Sequence, residues 1–194
     1  SIQLIDSGKN VGFSTGNNIL IEKALKDGCE YILLLNNDTR MFKDAISTLI
    51  KCFEDNPTCG CCGISAFNYK TKERLWGIGG YIRRDNDFMK IDGFGVGWTD
   101  NHLRECPKCK SKLPINLSQP SNVNCKNCGV NPYDILYIDS DYIGGGCMML
   151  NKEIIYKVGM FDEAYNPIYE EDKDLSCRIR ESGYKLILIN IPTI

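Results

Sequence analysis

Residues Tyr31–Thr39 read YILLLNNDT. Five residues of strand composition run straight into two asparagines, an aspartate and a threonine. The apolar run is short and unbroken, which suits a buried strand better than a helix or a half-wet strand. In open α/β sheets, ligands sit beyond the carboxyl ends of the strands. Asn36, Asn37 and Asp38 stand at such an end. A carboxylate there is placed to hold a hard divalent cation. Mg²⁺ commonly takes one or two carboxylates and completes its shell with phosphate oxygens and water. An Asx-type turn that simply ends the strand reads from the same residues.

Working outward, the flanking segments alternate between two periodicities. Ile2–Ile5 (IQLI) has the composition of a short strand. NVGFSTGNN (Asn10–Asn18) is a glycine-bearing loop that opens a helix, NNILIEKALKD, with Ile21, Ala24 and Leu25 buried and Gly28 past its end. A second helix is predicted over Lys43–Asp55, with Phe42, Ile46, Leu49, Ile50 and Phe53 on one face. CGCCGISAF follows as a strand of small residues. Later come a strand in YDILYID (Tyr133–Asp139), a helix over Lys152–Val158 closed by Gly159, and a helix in EEDKDLSCRIRESG. That last helix carries Leu175 and Ile179 one turn apart and stops at Gly183. YKLILINI supplies the final strand. This order predicts an α/β fold with a mostly parallel sheet flanked by helices.

The loop Asn10–Asn18 has a chemistry of its own. Gly12 and Gly16 permit close backbone approach, and the next helix opens with free N–H groups, which together make a phosphate cradle. The glycine spacing fits neither the dinucleotide nor the P-loop pattern. A plain loop capped by Ser14 or Asn17 is the other reading. Further on, Glu170, Glu171, Asp172 and Asp174 crowd the start of a helix whose far end carries Arg178 and Arg180. Acids complement the positive end of a helix dipole. One of them could equally serve as a general base beside a metal site.

The 194 residues suit one domain with an insertion, and 43% hydrophobic with 25% charged residues are ordinary values for a globular protein. A net charge of −2 leaves no basic footprint for nucleic acid. No apolar run approaches membrane-spanning length and no signal-peptide pattern opens the chain. Eleven cysteines, not spaced as a disulfide framework, suit a reducing compartment. The expected location is the cytoplasm, with peripheral association at the cytoplasmic face of a membrane left open. The start at Ser1 and the end at Ile194 suggest an excerpt of a longer protein.

Four of the cysteines form CPKC (Cys106–Cys109) and CKNC (Cys125–Cys128), with fifteen residues between the pairs. This matches the Cys-x₂-Cys-x₁₅₋₂₀-Cys-x₂-Cys pattern of a tetrahedral structural Zn²⁺ site. Such a site is closed, so catalysis at that ion is not expected. The domain reading is therefore a core in two parts, 1–97 and 133–194, interrupted by a zinc-ribbon-like insertion at 98–132. Its lysines (Lys108, Lys110, Lys112, Lys126) could dock a partner or form a solvated face. His102 reads as a loop residue. Cys59, Cys61 and Cys62 read as small buried strand residues. Trp76 and Trp98 read as packing residues or sugar-stacking platforms.

Taken together, NVGFSTGNN, YILLLNNDT, GGGCMMLNKEII, VGMFDEAY and YEEDKDLSCRIRESGYKL occur in the order seen in family 2 glycosyltransferases. The chain resembles the rhamnosyltransferase-like branch of that family. The resemblance implies a GT-A type fold, a nucleotide-diphosphate sugar donor, a divalent Mg²⁺ or Mn²⁺ and inversion at the anomeric carbon. It implies a glycan, polysaccharide or lipid-linked acceptor, and a role in polysaccharide or cell-envelope synthesis. By position, Asp38 matches the last acid of the metal-binding Asp-x-Asp motif, with Asn37 beside it, and Asp172 matches the aspartate that serves as base. Asn10, Gly12, Phe13 and Asn17 match the loop that runs past the nucleotide. Gly145 and Gly146 match the segment lining the donor-sugar and acceptor pocket. The chain departs from the family in having Asn36 where the first acid stands. A non-catalytic domain whose zinc module recruits a protein or nucleic-acid partner is the alternative from another class. A nucleotidyltransferase is a third reading, disfavoured by the absence of an early basic, glycine-rich loop.

Overall fold

The computed structural model describes residues 2–66, 69–70, 79–85, 88–93, 104–106, 108–109, 111–113, 124–130 and 136–190. Most of the predicted insertion, with Trp76, Trp98, His102, Pro107 and Lys110, lies outside these residues, as does the start of the strand predicted from Tyr133.

The first helix, α1, spans Phe13–Lys26. It begins four residues before the predicted NNILIEKALKD. The chain leaves it as predicted: Gly28, at φ +80°, lets Cys29 N–H reach back to Ala24 O. The strand β1 is Tyr31–Leu35. The helix α2 spans Ala45–Asp55, followed by β2 at Cys59–Ile64. The hairpin β3 (Gly79–Asp85) and β4 (Phe88–Gly93) comes next, then the two-residue strands β5 (Arg104–Glu105) and β6 (Lys112–Leu113). The second half holds β7 (Tyr137–Ser140), β8 (Tyr142–Ile143), β9 (Cys147–Asn151), α3 (Lys152–Val158), α4 (Glu171–Glu181) and β10 (Lys185–Ile189).

Among the described residues the central sheet has the order β1-β9-β2-β10-β7. β1, β2 and β10 share one direction, as an α/β core requires. β9 slots between β1 and β2 against that direction, and β7 closes the far edge antiparallel to β10. The sheet is therefore mixed rather than mostly parallel as expected: among the described residues β2 and β10 pair in parallel, and the pairings of β9 and β7 are antiparallel. β1 is an edge strand rather than a central one. Its unbroken apolar run reflects cover on both faces: Ile32 and Leu34 face one layer, Tyr31 and Leu33 the other.

Two cores result. On one face α1, α3 and α4 pack Ile21, Ile154, Ile155, Leu175 and Ile179 against Met148, Leu150, Leu186 and Leu188. On the other face α2 packs Ala45, Leu49, Cys52 and Phe53 against Cys59, Cys62, Ile187 and Ile189. Each such aliphatic side chain, once buried, contributes about 1.5–3 kcal/mol.

Two predicted details differ. Ile2–Ile5 forms no strand and is exposed, and among the described residues no strand pairs with it. The buried stripe of α2 runs through Ala45, Leu49, Cys52 and Phe53, leaving Phe42 and Ile46 exposed. The inward stripe is rotated about the helix axis from the expected one, through Ala45 and Cys52, whose short side chains carry a weaker apolar signal than Ile46.

Candidate functional site

The segments flagged in the sequence meet where β1 ends and β9 begins. Leu35, the last residue of β1, pairs with Cys147, the first of β9. Just before Cys147 lies the loop Gly144–Gly146. Asn36 N–H donates to Gly146 O at 3.1 Å, and Thr39 N–H donates to Asn36 O at 3.1 Å. This closes a tight turn with Asn37 and Asp38 at its exposed tip. A Cβ on Gly146 would stand 3.4 Å from Asn36 Nδ2, in ordinary contact with the amide.

The same loop holds the second acid. Gly145 N–H donates to Asp172 Oδ2 at 3.0 Å. A glycine loop two residues wide thus carries main-chain links to both the β1 tip and Asp172. Asp172 sits in the first turn of α4, entered through two residues of positive φ, Tyr169 (84°) and Glu170 (73°). For non-glycine residues such angles are uncommon and mark a constrained turn. Here the turn separates neighbouring acids. Glu171 faces inward at 4% exposure, with its Oε2 lacking a partner, and burial pushes its carboxyl pKa up. Asp172 is half-buried and faces the glycine loop. Below it, burial and the charges of Asp172 and Glu170 push the Tyr142 phenol up to about 12.

The loop before α1 forms the adjoining wall. Gly12, at φ 83° and ψ 172°, lies in a region essentially reserved for glycine. Asn10 Oδ1 accepts its N–H at 3.0 Å. Phe13 N–H donates to Pro167 O at 2.9 Å. The Phe13 ring lies against Gly145, where a Cβ would meet its Cζ at 2.9 Å and Asp172 Cβ at 3.7 Å. Asn17 bonds back to Phe13 O at 2.9 Å on its own helix. Phe13, Gly12, Gly145, Gly146 and Asp172 are thus one contiguous group. Asn37 and Asp38 stand at its edge.

Several supporting residues were not flagged in the sequence. Asn18, 6% exposed, accepts Phe161 N–H through Oδ1 at 3.0 Å and donates through Nδ2 to Phe161 O at 2.9 Å and to Glu163 Oε1 at 3.1 Å. Asn166 Nδ2 donates to Thr15 Oγ1 at 2.8 Å. These bonds tie α1 to the 161–167 segment that leads into α4. Helical spacing held the signal for Asn18, which shares a face with Ser14 and Ile21. Beside the rim, Arg40 stacks over Tyr69 at 5.2 Å and donates to its hydroxyl at 2.8 Å.

The four cysteines of the paired motifs do converge. Their sulfurs lie within 4.8 Å of one another, with Cys106 Sγ to Cys128 Sγ at 3.5 Å and Cys109 Sγ to Cys125 Sγ at 3.6 Å. Four thiolates bound about 2.3 Å from one ion stand about 3.8 Å apart, so the set fits a tetrahedral ion. Each knuckle is closed by its own turn: Cys106 N–H to Ser111 O at 2.7 Å, and Gly129 N–H to Cys125 O at 2.7 Å. The Ser111 hydroxyl sits 3.0 Å from Cys109 Sγ and 3.2 Å from Cys125 Sγ. It helps pull the Cys109 thiol down to about 5 and lowers Cys125 as well. Cys128 shifts the other way, up to about 12, with burial and hydrogen bonds to Cys106, Cys109 and Cys125 raising it; a bound cation would favour the thiolate at every ligand. The chain that joins this centre to the rim lies outside the described residues.

The sequence model of one family, glycosyl transferase family 2, matches residues 1–111. No curated protein matches the chain. Among solved structures, the crystal structure of GalNAc-T7 with UDP, GalNAc and Mn²⁺ superposes with a TM-score of 0.52 at 17% identity, over 92% of this chain and 29% of that one. The chain thus spans under a third of the length of that neighbour, and at this identity the likeness is one of fold.

Proposed function

The chain belongs to glycosyl transferase family 2 and has the GT-A fold, and on that premise we propose that it carries the chemical centre of an inverting transferase. The donor is a nucleotide-diphosphate hexose or deoxyhexose and the acceptor a glycan or lipid-linked hydroxyl. Asp172 is the general base. It takes the proton of the acceptor hydroxyl as that oxygen attacks the anomeric carbon. The bond from that carbon to the diphosphate oxygen breaks, and the electron pair leaves with the diphosphate. No covalent enzyme intermediate is needed.

The observation that carries this reading is the shared loop: Gly145 N–H bonds the Asp172 carboxylate while Gly146 O anchors Asn36 at the root of the Asp38 turn. Asp38, with the amide oxygens of Asn36 and Asn37, offers hard oxygen donors suited to Mg²⁺ or Mn²⁺. Such an ion, when bound, would neutralise charge on the departing diphosphate. Gly12 and Phe13 shape the wall along which the nucleotide would run. The four-cysteine centre would hold a structural Zn²⁺, separate from the transfer chemistry.

The test is Asp172→Asn in the whole protein, with candidate donors screened by calorimetry in the presence and absence of Mg²⁺ or Mn²⁺. Transfer should fall about 10²–10⁴-fold while donor binding stays. Undiminished transfer would remove Asp172 from the mechanism.

A further inference from the structure

The second core holds a group of thiols with no part in the chemistry above. Cys52 of α2 and Cys59 and Cys62 of β2 bring their sulfurs within 4.8 Å of one another, at 0%, 1% and 0% exposure. Strand alternation does not predict this. Residues three apart on a regular strand point to opposite faces. Here the register between β2 and β10 slips: Lys185 pairs with Cys59, but Leu186 pairs with Cys61. Gly60 is the extra residue of a bulge. It faces the α3–α4 side, where a Cβ would meet Ile179, Tyr184 and Ile154 at 3.0–3.1 Å. Cys61 faces the same side, and Cys59 and Cys62 are both left against α2. Bulges re-aim side chains and recur beside functional sites. Here one turns two thiols toward a third.

We propose that Cys52, Cys59 and Cys62 form a second metal site in this protein, closed and three-thiol, that takes the soft monovalent ion Cu(I).

The donor set selects the ion. Sulfur-only ligands favour soft ions such as Cu(I). Structural zinc almost always takes four ligands, and the described residues supply three here. The cross-strand partners of Cys62 are Met149 and Ile187, both buried in the same core, so one of its two sheet neighbours carries a thioether, again soft. The thiolate is the ligating form, so each of the three thiols gives up its proton to solvent as one Cu⁺ enters.

The test is anaerobic loading of the zinc-bound protein during folding, with Cu(I) supplied as its acetonitrile complex, then desalting and elemental analysis. One copper per chain should remain with zinc content unchanged, and X-ray absorption should show sulfur neighbours alone. Cys52→Ser and Cys62→Ser should each lose the copper, while Cys177→Ser on α4 keeps it. Copper retained equally by the Cys52 and Cys62 variants overturns the proposal. So does copper gained only as zinc is lost, or none retained. Should either serine variant fail to fold, copper-to-sulfur coordination in the parent, with zinc intact, decides alone: nitrogen or oxygen neighbours sink the assignment.

Discussion

Glu171 and Asp172 are chemically alike and adjacent, yet the turn at Tyr169–Glu170 gives them opposite fates. Buried Glu171, with one unpartnered oxygen, has its pKa raised chiefly by desolvation. The folded state therefore holds this proton more tightly than the unfolded chain. The resulting stability is whole below the unfolded carboxylate pKa and drains away as pH rises through the folded one. Glu171→Gln should accordingly gain about 1 kcal/mol over the parent at pH 7–8, and the gain should vanish below about pH 4. Urea titrations across that range measure it; a gain independent of pH would disprove the assignment. Gly12→Ala should cost about 1–3 kcal/mol, since its φ of 83° suits only glycine and its new Cβ would lie 2.5 Å from Asn166 Oδ1. Gly8→Ala, at φ 70° with nothing within 4 Å, should cost less in the same melt. At this scale the sequence was a good guide to residue type and a poor guide to direction. Asp172 could be picked by its place in a motif, but nothing in EED says which carboxylate turns inward. Asn17 was flagged over Asn18, although it is Asn18 that is buried and crosses to Phe161.

Elements with strong local signals were legible. The helix α3 runs over Lys152–Val158 as predicted, because Asn151 caps it through Ile154 N–H at 2.8 Å and Gly159 ends it at φ +81°. Asn151→Ala should cost about 1 kcal/mol, read from a thermal or urea melt. No loss would mean that water replaces the cap. Elements that depend on a neighbour were not legible. Ile2–Ile5 has strand composition, but among the described residues no strand pairs with it. The inward stripe of α2 passes through Ala45 and Cys52, whose short side chains carry a weaker apolar signal than the exposed Ile46. The bulge at Gly60 left no trace in the alternation of β2, whose six residues are all buried.

For the molecule as a whole, the α/β character was readable from alternating periodicities, while the antiparallel insertion of β9 between β1 and β2 was not. Those pairings join residues far apart in sequence, Leu35 with Cys147 and Gly63 with Met148, and the first of them sets the glycine loop beside the β1 tip. The Cys106–Cys128 centre is a separate sulfur cluster, distinct from both hydrophobic cores. Treating the zinc-loaded protein with a strong chelator should therefore release one zinc and leave the far-ultraviolet signal of the α/β layers, and their melting, nearly unchanged. Collapse of the whole transition on zinc removal would show that the centre supports the sheet.

The pair of hydrogen bonds that Asn18 makes to both main-chain groups of Phe161 imitates what an adjacent strand would offer, but it comes from a helix. It welds the floor under the Asn10–Phe13 turn to the stretch that steers Asp172. Those two walls cannot part like jaws without stripping a buried amide of every partner. Parting them would cost about 1 kcal/mol for each of the three bonds lost.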